Sequence, residues 1–198
     1  MEQAVEVLAL LTNAVCLFYT IKRRPVSWVI GIVSTLLLMF LFASKRMWGQ
    51  EVVQIMFLLQ SIIGLIQWER ITIRENKVPI QFITDNKVFY LFSLSLIVIF
   101  TLFLIIPIQS YEYALIPLSV IGNFLLIRRY IENWIMWMIV HVFSTVFFIY
   151  HGFYGIAAMF VLFFLLSITG LFFWFTQLQN ERQCSIAQKR THMRDLPM

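Results

Sequence analysis

Long apolar stretches separated by short charged or proline-bearing breaks run through the whole chain. About 20 apolar residues, rising about 1.5 Å each, cross a hydrocarbon core of roughly 30 Å. A backbone that faces lipid must satisfy its own hydrogen bonds, so these stretches predict helices. Seven are predicted, at 4–21, 25–43, 50–68, 88–106, 112–127, 133–150 and 155–177. The pattern therefore indicates an all-α integral membrane protein with seven transmembrane helices.

The chain also repeats itself, without a gap, at an offset of 106 positions. Trp and Gly occur only 6 and 7 times in 198 residues, so coincidences between them in one register are hard to assign to chance. Four such pairs coincide: Trp28 and Trp134, Gly49 and Gly155, Gly64 and Gly170, and Trp68 and Trp174. The offset places helices one to three on helices five to seven and leaves helix four as a linker.

Corresponding helices are four crossings apart, an even number, so the two copies have the same orientation in the membrane. We predict two parallel three-helix repeats joined by a linker helix, a 3+1+3 layout typical of transporters that hold substrate between the copies. The predicted units are a first repeat at 1–68, a loop and linker helix at 69–109, a second repeat at 110–177 and a cytoplasmic tail at 178–198. The segment 69–87 is predicted to be an interfacial loop.

Composition and charge agree with a membrane protein and orient it. The chain is 61% hydrophobic and 13% charged, with a mean hydropathy of +0.84. Thirteen basic residues follow predicted helices one, three, five and seven, whereas only Lys45 and Arg46 lie on the other side. The positive-inside rule then predicts an external N-terminus and a cytoplasmic C-terminus. Anionic headgroups account for the net charge of +5, so no nucleic-acid partner is expected.

Helix six carries the most informative face. Asn133, Trp137, His141 and Thr145 are spaced by four, with Ser144 beside them, in an otherwise apolar helix. His141 is the only ionisable residue deep in a predicted span, and such a group is by default a functional-site hypothesis. The alternative is a neutral imidazole hydrogen-bonded to a neighbouring helix. Trp137 is the candidate for stacking on a flat ligand.

Other helices supply further polar candidates. Thr35 on helix two corresponds to His141 in the repeat, and buried amides on helix three should face protein or a watery cavity. Bonding between helices is the alternative for each residue singly. The complete set of predicted substrate contacts is Trp137, Asn133, His141, Gln54, Ser144, Thr145, Thr35, Ser61, Gln60 and Asn123, with Asn13 and Ser119 completing the polar inventory.

Aromatic residues near helix ends suggest membrane anchoring. Trp28, Trp48, Trp68, Trp134 and Trp174 lie close to predicted helix ends. This position predicts that most of them belong to the interfacial aromatic belt.

Several chemistries have no support in the sequence. There is no G-x-x-x-x-G-K-[ST] loop, no G-x-G-x-x-G and no H-E-x-x-H, so ATP hydrolysis and a bound cofactor or metal are not expected. Cys16 and Cys184 have a spacing that fits neither a disulfide framework nor a metal site. No Asp or Glu lies deep in a span, which removes the usual carrier for proton or sodium coupling. A passive carrier is the simplest interpretation.

Two runs of sequence carry a family resemblance. The run from Trp28, WVIGIVSTLLLMFLFASKRMWGQEVVQIMFLLQSIIGLIQWER, resembles the PnuC family of bacterial vitamin transporters. The run from Glu132, ENWIMWMIVHVFSTVFFIYHGFYGIAAMFVLFFLLSITGLFFW, is similar to that family's second half. The matching positions are Gln54, Gly64, Gln67, Trp68, Arg70, Asn133, Trp134, Trp137 and Tyr150.

The resemblance implies a seven-helix, SWEET-related fold, a homotrimer and a place in the bacterial cytoplasmic membrane. It implies facilitated diffusion of nicotinamide riboside, with a cytoplasmic kinase that traps the vitamin by phosphorylation. Family members commonly carry an Asp in the middle of helix six where this chain has His141, so thiamine or riboflavin stays open as the substrate. Two other classes stay open as well: a membrane-embedded enzyme using His141 as general base, and a receptor subunit without translocation.

Overall fold

A computed structural model describes residues 2–75, 78–84 and 86–194. Within these residues the chain forms seven α-helices and a short 3₁₀ turn at Ile108–Ser110, and the prediction of an all-α fold is confirmed. The helices are α1 Glu2–Ile21, α2 Val26–Ser44, α3 Trp48–Glu75, α4 Asn86–Ile105, α5 Tyr111–Ile127, α6 Asn133–Tyr150 and α7 Tyr154–Arg194.

Two helices run well beyond their predicted ends. Helix α3 ends at Glu75 rather than at residue 68, and α7 continues through the segment predicted as a tail to Arg194. The prediction stopped each helix at the membrane edge. A helix does not have to stop there, because Glu, Gln, Lys and Arg have good helix propensity and both extensions lack Gly and Pro.

The exterior of the helices is apolar. Helices α2, α3, α6 and α7 are each long and apolar enough to cross a membrane, while α1, α4 and α5 contain shorter apolar stretches. Phe40, Ile97 and Phe172 are 54%, 64% and 67% exposed. So large an exposed apolar surface fits lipid and not water, which makes the chain a multi-pass membrane protein.

The turns between helices repeat at the same offset as the sequence. Arg23 and Arg129 have φ of 58° and 66°, and Arg46 and Gly152, also 106 positions apart, have φ of 56° and 76°. Positive φ is uncommon outside glycine, so this correspondence is specific. Each of the four residues closes a helix in the Schellman manner. The closing backbone bonds are Arg24 N to Tyr19 O, Tyr130 N to Leu125 O, Met47 N to Phe42 O and Phe153 N to Phe148 O, between 2.8 and 3.0 Å.

The helices pack as two similar groups. Helices α1, α2 and α3 contact one another in order, as do α5, α6 and α7, and the groups meet where α3 packs on α5 and α1 packs on α7. Helix α4 lies at the periphery and packs mainly on α5. In the first group α2 packs on both α1 and α3, and in the second α6 packs on both α5 and α7.

Four tryptophans that the sequence assigned to the interfacial belt are buried instead. Trp28, Trp68, Trp134 and Trp174 are 5%, 0%, 0% and 0% exposed, and only Trp48, at 68%, suits the belt. Trp28 meets Trp68, and Trp134 meets Trp174, edge to face with ring centroids 5.4 Å apart. We call these four residues the tryptophan layer. The belt prediction was wrong for them because being near a helix end does not say which way a side chain points.

The tryptophan layer bonds each half to the other. The indole Nε1 of Trp68 donates to the Ile127 carbonyl at 3.2 Å, and that of Trp174 donates to the Ile21 carbonyl at 3.0 Å. Both carbonyls lie at helix C-termini, where they have no partner within the helix. These two bonds are related by the same 106-residue offset.

Candidate functional site

A cavity of about 160 Å³ lies at the centre of the helices. It is lined by residues of every helix except α4 among the described residues. An apolar cluster that includes Phe42, Phe147 and Phe148 packs on one side of it, and the cluster that contains the tryptophan layer packs on the other. The cavity therefore lies between two apolar layers.

Seven of the ten predicted contacts line this cavity. They come from four helices: Thr35 on α2, Gln54 and Ser61 on α3, Asn123 on α5, and Trp137, His141 and Ser144 on α6. The packing of α2 on α3, of α3 on α5 and of α5 on α6 brings residues from both ends of the chain into one space.

The other three predicted contacts, Asn133, Thr145 and Gln60, lie away from the cavity. The Asn133 side-chain amide donates to the Tyr130 carbonyl at 2.6 Å, and the Thr145 hydroxyl donates to the His141 carbonyl at 2.7 Å. Because an α-helix has 3.6 residues per turn, each step of four residues turns the side chain by about 40° around the helix axis. The two ends of the helix-six stripe therefore turn away from the face on which His141 lies.

Gln60 links two helices. Its Nε2 donates to the Val120 carbonyl at 3.0 Å, and its Oε1 accepts from Asn123 Nδ2 at 3.2 Å. It joins α3 to α5 and leaves Asn123 as the member of the pair that reaches the cavity. Bonding between helices, the alternative left open from sequence, describes Gln60.

His141 is enclosed by aromatic rings. Its imidazole stacks on Trp137 with centroids 5.6 Å apart and an interplanar angle of 21°, and it contacts the rings of Phe160 and Phe163 at 5.8 and 5.7 Å. The residue is 4% exposed, and neither ring nitrogen has a hydrogen-bond partner among the described residues. The structure thus gives no support to an imidazole bonded to a neighbouring helix.

Other buried polar atoms on the cavity also lack partners within the described chain. They are Oε1 of Gln54 and Nε1 of both Trp28 and Trp134. Buried polar groups without partners are costly and uncommon in native proteins. The cavity therefore offers acceptors and donors in a setting that a polar small molecule or water would satisfy.

Sequence reasoning left several lining residues out of the candidate set. Asn13 and Ser119 are polar residues outside the ten predicted contacts, and Phe57, Phe160 and Phe163 are apolar residues that are not predicted as contacts either. Phe occurs 20 times in the chain, so a single Phe carries no signal. The repeat did contain a signal for two of them, since Phe57 and Phe163 occupy the same repeat position and both line the cavity.

A helical bundle with a lipid-facing exterior and a central, partly polar cavity defines a membrane protein with an enclosed small-molecule site. A family model described as nicotinamide mononucleotide transporter matches residues 3–176, and the chain belongs to this family. The resemblance to PnuC transporters is thereby confirmed, and the family is one of transporters and not of enzymes.

Curated relatives match a shorter segment. The nicotinamide riboside transporters PnuC of Escherichia coli (strain K12) and of Shigella flexneri are each 28% identical over 64 residues, 32% of this chain. The aligned segment spans about a quarter of the length of those relatives, 27%. A solved structure described as the crystal structure of the Vitamin B3 transporter PnuC has a TM-score of 0.72 at 15% identity, covering 89% of this chain and 82% of its own. This likeness is one of fold.

Proposed function

We propose that this protein carries a small vitamin, most specifically nicotinamide riboside, across the membrane by facilitated diffusion, with the central cavity as its binding site. The observation that carries the proposal is the cavity itself. Unpartnered hydrogen-bonding atoms of Gln54 and His141 lie there, and the His141 imidazole stacks on the Trp137 ring. Ribose hydroxyls and a carboxamide would satisfy such atoms, and a flat ring would lie against the aromatic wall.

The lining favours a nucleoside over a nucleotide. None of the described residues that line the cavity is Lys, Arg, Asp or Glu. A buried phosphate needs charge-assisted hydrogen bonds, for which Arg and Lys are the usual donors. A nicotinamide riboside cation requires no such anchor, because aromatic faces attract cations by about 2 kcal/mol or more when desolvated.

A second candidate substrate has its own observation in favour. The resemblance leads us to expect an acid in the middle of helix six, and His141 stands there among rings with no carboxylate in the described lining. A neutral imidazole can accept a hydrogen bond but cannot balance a pyridinium charge. An uncharged vitamin such as riboflavin would lose nothing by this exchange, whereas thiamine, another cation, would share the loss.

For mechanism, we propose that residues 1–68 and 110–177 are parallel repeats that rock against each other about an axis along the membrane normal, with 69–109 as the linker. The paired positive-φ turns and the two offset-related tryptophan bonds support this arrangement. The substrate would lie near the bilayer midplane and be exposed alternately to each side.

The surroundings of the carrier complete the proposal. The basic loops 22–25 and 128–132 would lie in the cytoplasm, with the N-terminus outside and the C-terminus inside. Exposed apolar residues on peripheral α4, such as Leu104 at 74%, offer a surface for lipid or for the neighbours of a homotrimer. A cytoplasmic kinase would keep the free vitamin low by phosphorylation and so draw uptake inward.

Reconstituted transport tests the proposal. Purified protein in liposomes should take up labelled nicotinamide riboside, and thiamine and riboflavin serve as the competing cargoes. Trp137→Ala should reduce uptake, whereas Trp48→Ala, which changes an exposed tryptophan that does not line the cavity, should not. No uptake of any of the three vitamins would overturn the carrier, and binding without uptake would favour a receptor subunit.

A selectivity measurement separates the two substrates. His141→Asp introduces the carboxylate that the resemblance leads us to expect and should shift preference towards cationic vitamins. Unchanged relative uptake of the three vitamins in both His141→Asp and His141→Ala would show that His141 does not contact the cargo. Recovery of the vitamin chemically unchanged is expected throughout.

A further inference from the structure

Residues 78–84, which follow α3, pack into the protein although the sequence predicts an interfacial loop there. Val78, Ile80 and Ile83 are 1%, 6% and 9% exposed. Val78 and Ile80 belong to the same apolar cluster as the tryptophan layer. We call 78–84 the strap, and we call the side of the molecule formed by loop 22–25, the strap and loop 128–132 the basic face. The strap is part of the layer that separates the cavity from this face.

The strap is hydrogen-bonded to the second half of the chain along its length. Gln81 N donates to the Arg129 carbonyl at 3.2 Å, and Ile131 N donates to the Gln81 carbonyl at 3.0 Å. Ile83 N donates to Glu132 Oε1 at 3.0 Å. These bonds hold the strap to loop 128–132, between α5 and α6.

At its start the strap is bonded to the first half. Arg23 Nη1 donates to the Val78 carbonyl at 3.0 Å and also to Glu181 Oε1 of α7 at 2.9 Å. The side chains of Arg23 and Glu181 are 11% and 24% exposed, so this ion pair is partly withdrawn from water. One guanidinium therefore ties loop 22–25, the strap and α7 together.

The arrangement is unequal in the two halves. Arg129 is the repeat counterpart of Arg23 and has a similar backbone, but its described side-chain hydrogen bond runs to the adjacent Arg128 carbonyl at 3.4 Å. The strap thus has an arginine clamp on one half, and backbone pairing together with the Glu132 bond on the other. Three residues of extended chain, Val78 to Gln81, reach about 10 Å at most. Together with the Arg23 side chain and its hydrogen bond, the strap therefore limits how far loops 22–25 and 128–132 can separate while both attachments persist.

We propose that the strap is a latch that holds the basic-face exit of the cavity closed, and that the Arg23 clamp is the attachment that opens. The inference rests on the proposed alternating access. Trp28, Trp134 and Leu126 line the cavity and also belong to the cluster into which the strap packs. Release of the strap uncovers this layer and lets the halves part on the basic face.

Native Cys16 supplies the reporter. It lines the cavity, and its thiol donates to the Ser27 carbonyl at 3.2 Å. Because the chain has two cysteines, the full-length Cys184→Ser protein leaves Cys16 as its single thiol. A membrane-impermeant methanethiosulfonate reagent, applied to vesicles of either orientation without vitamin, measures access to the cavity from each side.

Arg23→Gly removes the clamp and keeps the positive φ of 58° accessible. We expect it to raise the rate of Cys16 labelling from the basic face about tenfold, the scale of a lost charged hydrogen bond. Arg46→Gly is the matched control. It makes the same substitution at φ of 56°, where the repeat counterpart is already Gly152, on the opposite face and away from the strap. It should label like the parent.

Glu132→Ala removes the bond to Ile83 N, weakens the hold on the far end of the strap and should raise labelling from the same face. If the Arg23→Gly protein does not insert into the membrane, the Glu132→Ala protein tests the latch alone. Labelling at the parental rate in Arg23→Gly or in Glu132→Ala, or a rise from the opposite face, would overturn the latch. The labelling result and the transport result can be told apart. Vitamin uptake with unaltered labelling contradicts the latch proposal alone, and labelling that depends on the strap without vitamin uptake contradicts the carrier proposal alone.

Discussion

Replacing Gly64 or Gly170 by alanine tests the tryptophan layer at two related positions. A Cβ added at Gly64 would lie 2.6 Å from three ring carbons of Trp28, and one added at Gly170 would lie 2.6 to 2.7 Å from ring carbons of Trp134. Non-bonded carbons are comfortable at about 3.5–4.0 Å, so each indole must move by about 1 Å.

There is little room for that movement. Trp28 is 5% exposed and Trp134 is fully buried, and each meets another tryptophan of the layer edge to face. Overpacking of this kind costs about 1–3 kcal/mol, and the better helix propensity of alanine returns about 0.5–1 kcal/mol. Since a rigid ring faces a Cβ fixed to the backbone, we place the overpacking cost near the top of its range and expect a net loss of about 2 kcal/mol.

Thermal unfolding of the purified protein in detergent measures the effect. For a chain of this length about 1 kcal/mol corresponds to about 2–4 °C, so each variant should melt about 4–8 °C lower. Gly31→Ala is the control, because its Cβ would lie 3.4 Å from Cys16 Sγ and 3.7 Å from Ser61 Oγ, which is ordinary contact. Its melting temperature should be unchanged or slightly higher.

The reasoning would be refuted if Gly64→Ala and Gly170→Ala melted within about 1 °C of the wild type, a difference well below 1 kcal/mol for this size. A loss in one variant and not the other would show that the two halves of the layer are packed differently. Since Trp28 and Trp134 also line the cavity, the same displacement should slow vitamin uptake in both variants.

Three further predictions concern side chains that take part in tertiary hydrogen bonds. Burial raises the pKa of Glu132, so the stability that its protonated form contributes is fully present below the ordinary pKa of about 4.5 and is lost as pH rises through the higher pKa of the folded state. Glu132→Gln, which keeps an acceptor for Ile83 N, should therefore melt no lower than wild type at neutral pH, and a lower melting temperature there contradicts this. Gln60→Leu leaves the Asn123 amide without its acceptor and should cost about 1–3 kcal/mol, most of it recovered when both residues become Leu; melting temperatures that fail to recover would contradict the pairing. Trp174→Phe removes a buried N–H bond of 3.0 Å and should cost about 1–3 kcal/mol, with an unshifted melting temperature as the contrary result.

Helix positions could be predicted closely because the signal for them is local. Helix α6 occupies the predicted 133–150, and its bounds follow from an apolar run between Glu132 and His151. The ends of α3 and α7 could not be predicted in this way, since leaving the membrane changes the solvent around a helix but does not end it.

The candidate site was predictable in part. His141 and Trp137 stand out as polar or aromatic groups on an apolar helix, and both line the cavity. Gln60 has the same sequence signal as Gln54, yet one amide is paired between helices and the other is left unpaired on the cavity. The difference depends on which helix lies opposite, and that information is absent from the pattern on the helix itself.

The sequence by itself determined that this chain is helical, belongs in a membrane and contains a repeat at an offset of 106 positions, because hydropathy and residue identity can be read directly along the chain. Only the tertiary structure decided that four tryptophans turn inwards, two of them over Gly64 and Gly170, and that residues 78–84 cross from one half to the other. Those features depend on contacts between residues tens to more than a hundred positions apart. Side-chain direction and pairing are set by what packs opposite, which the folded chain alone specifies.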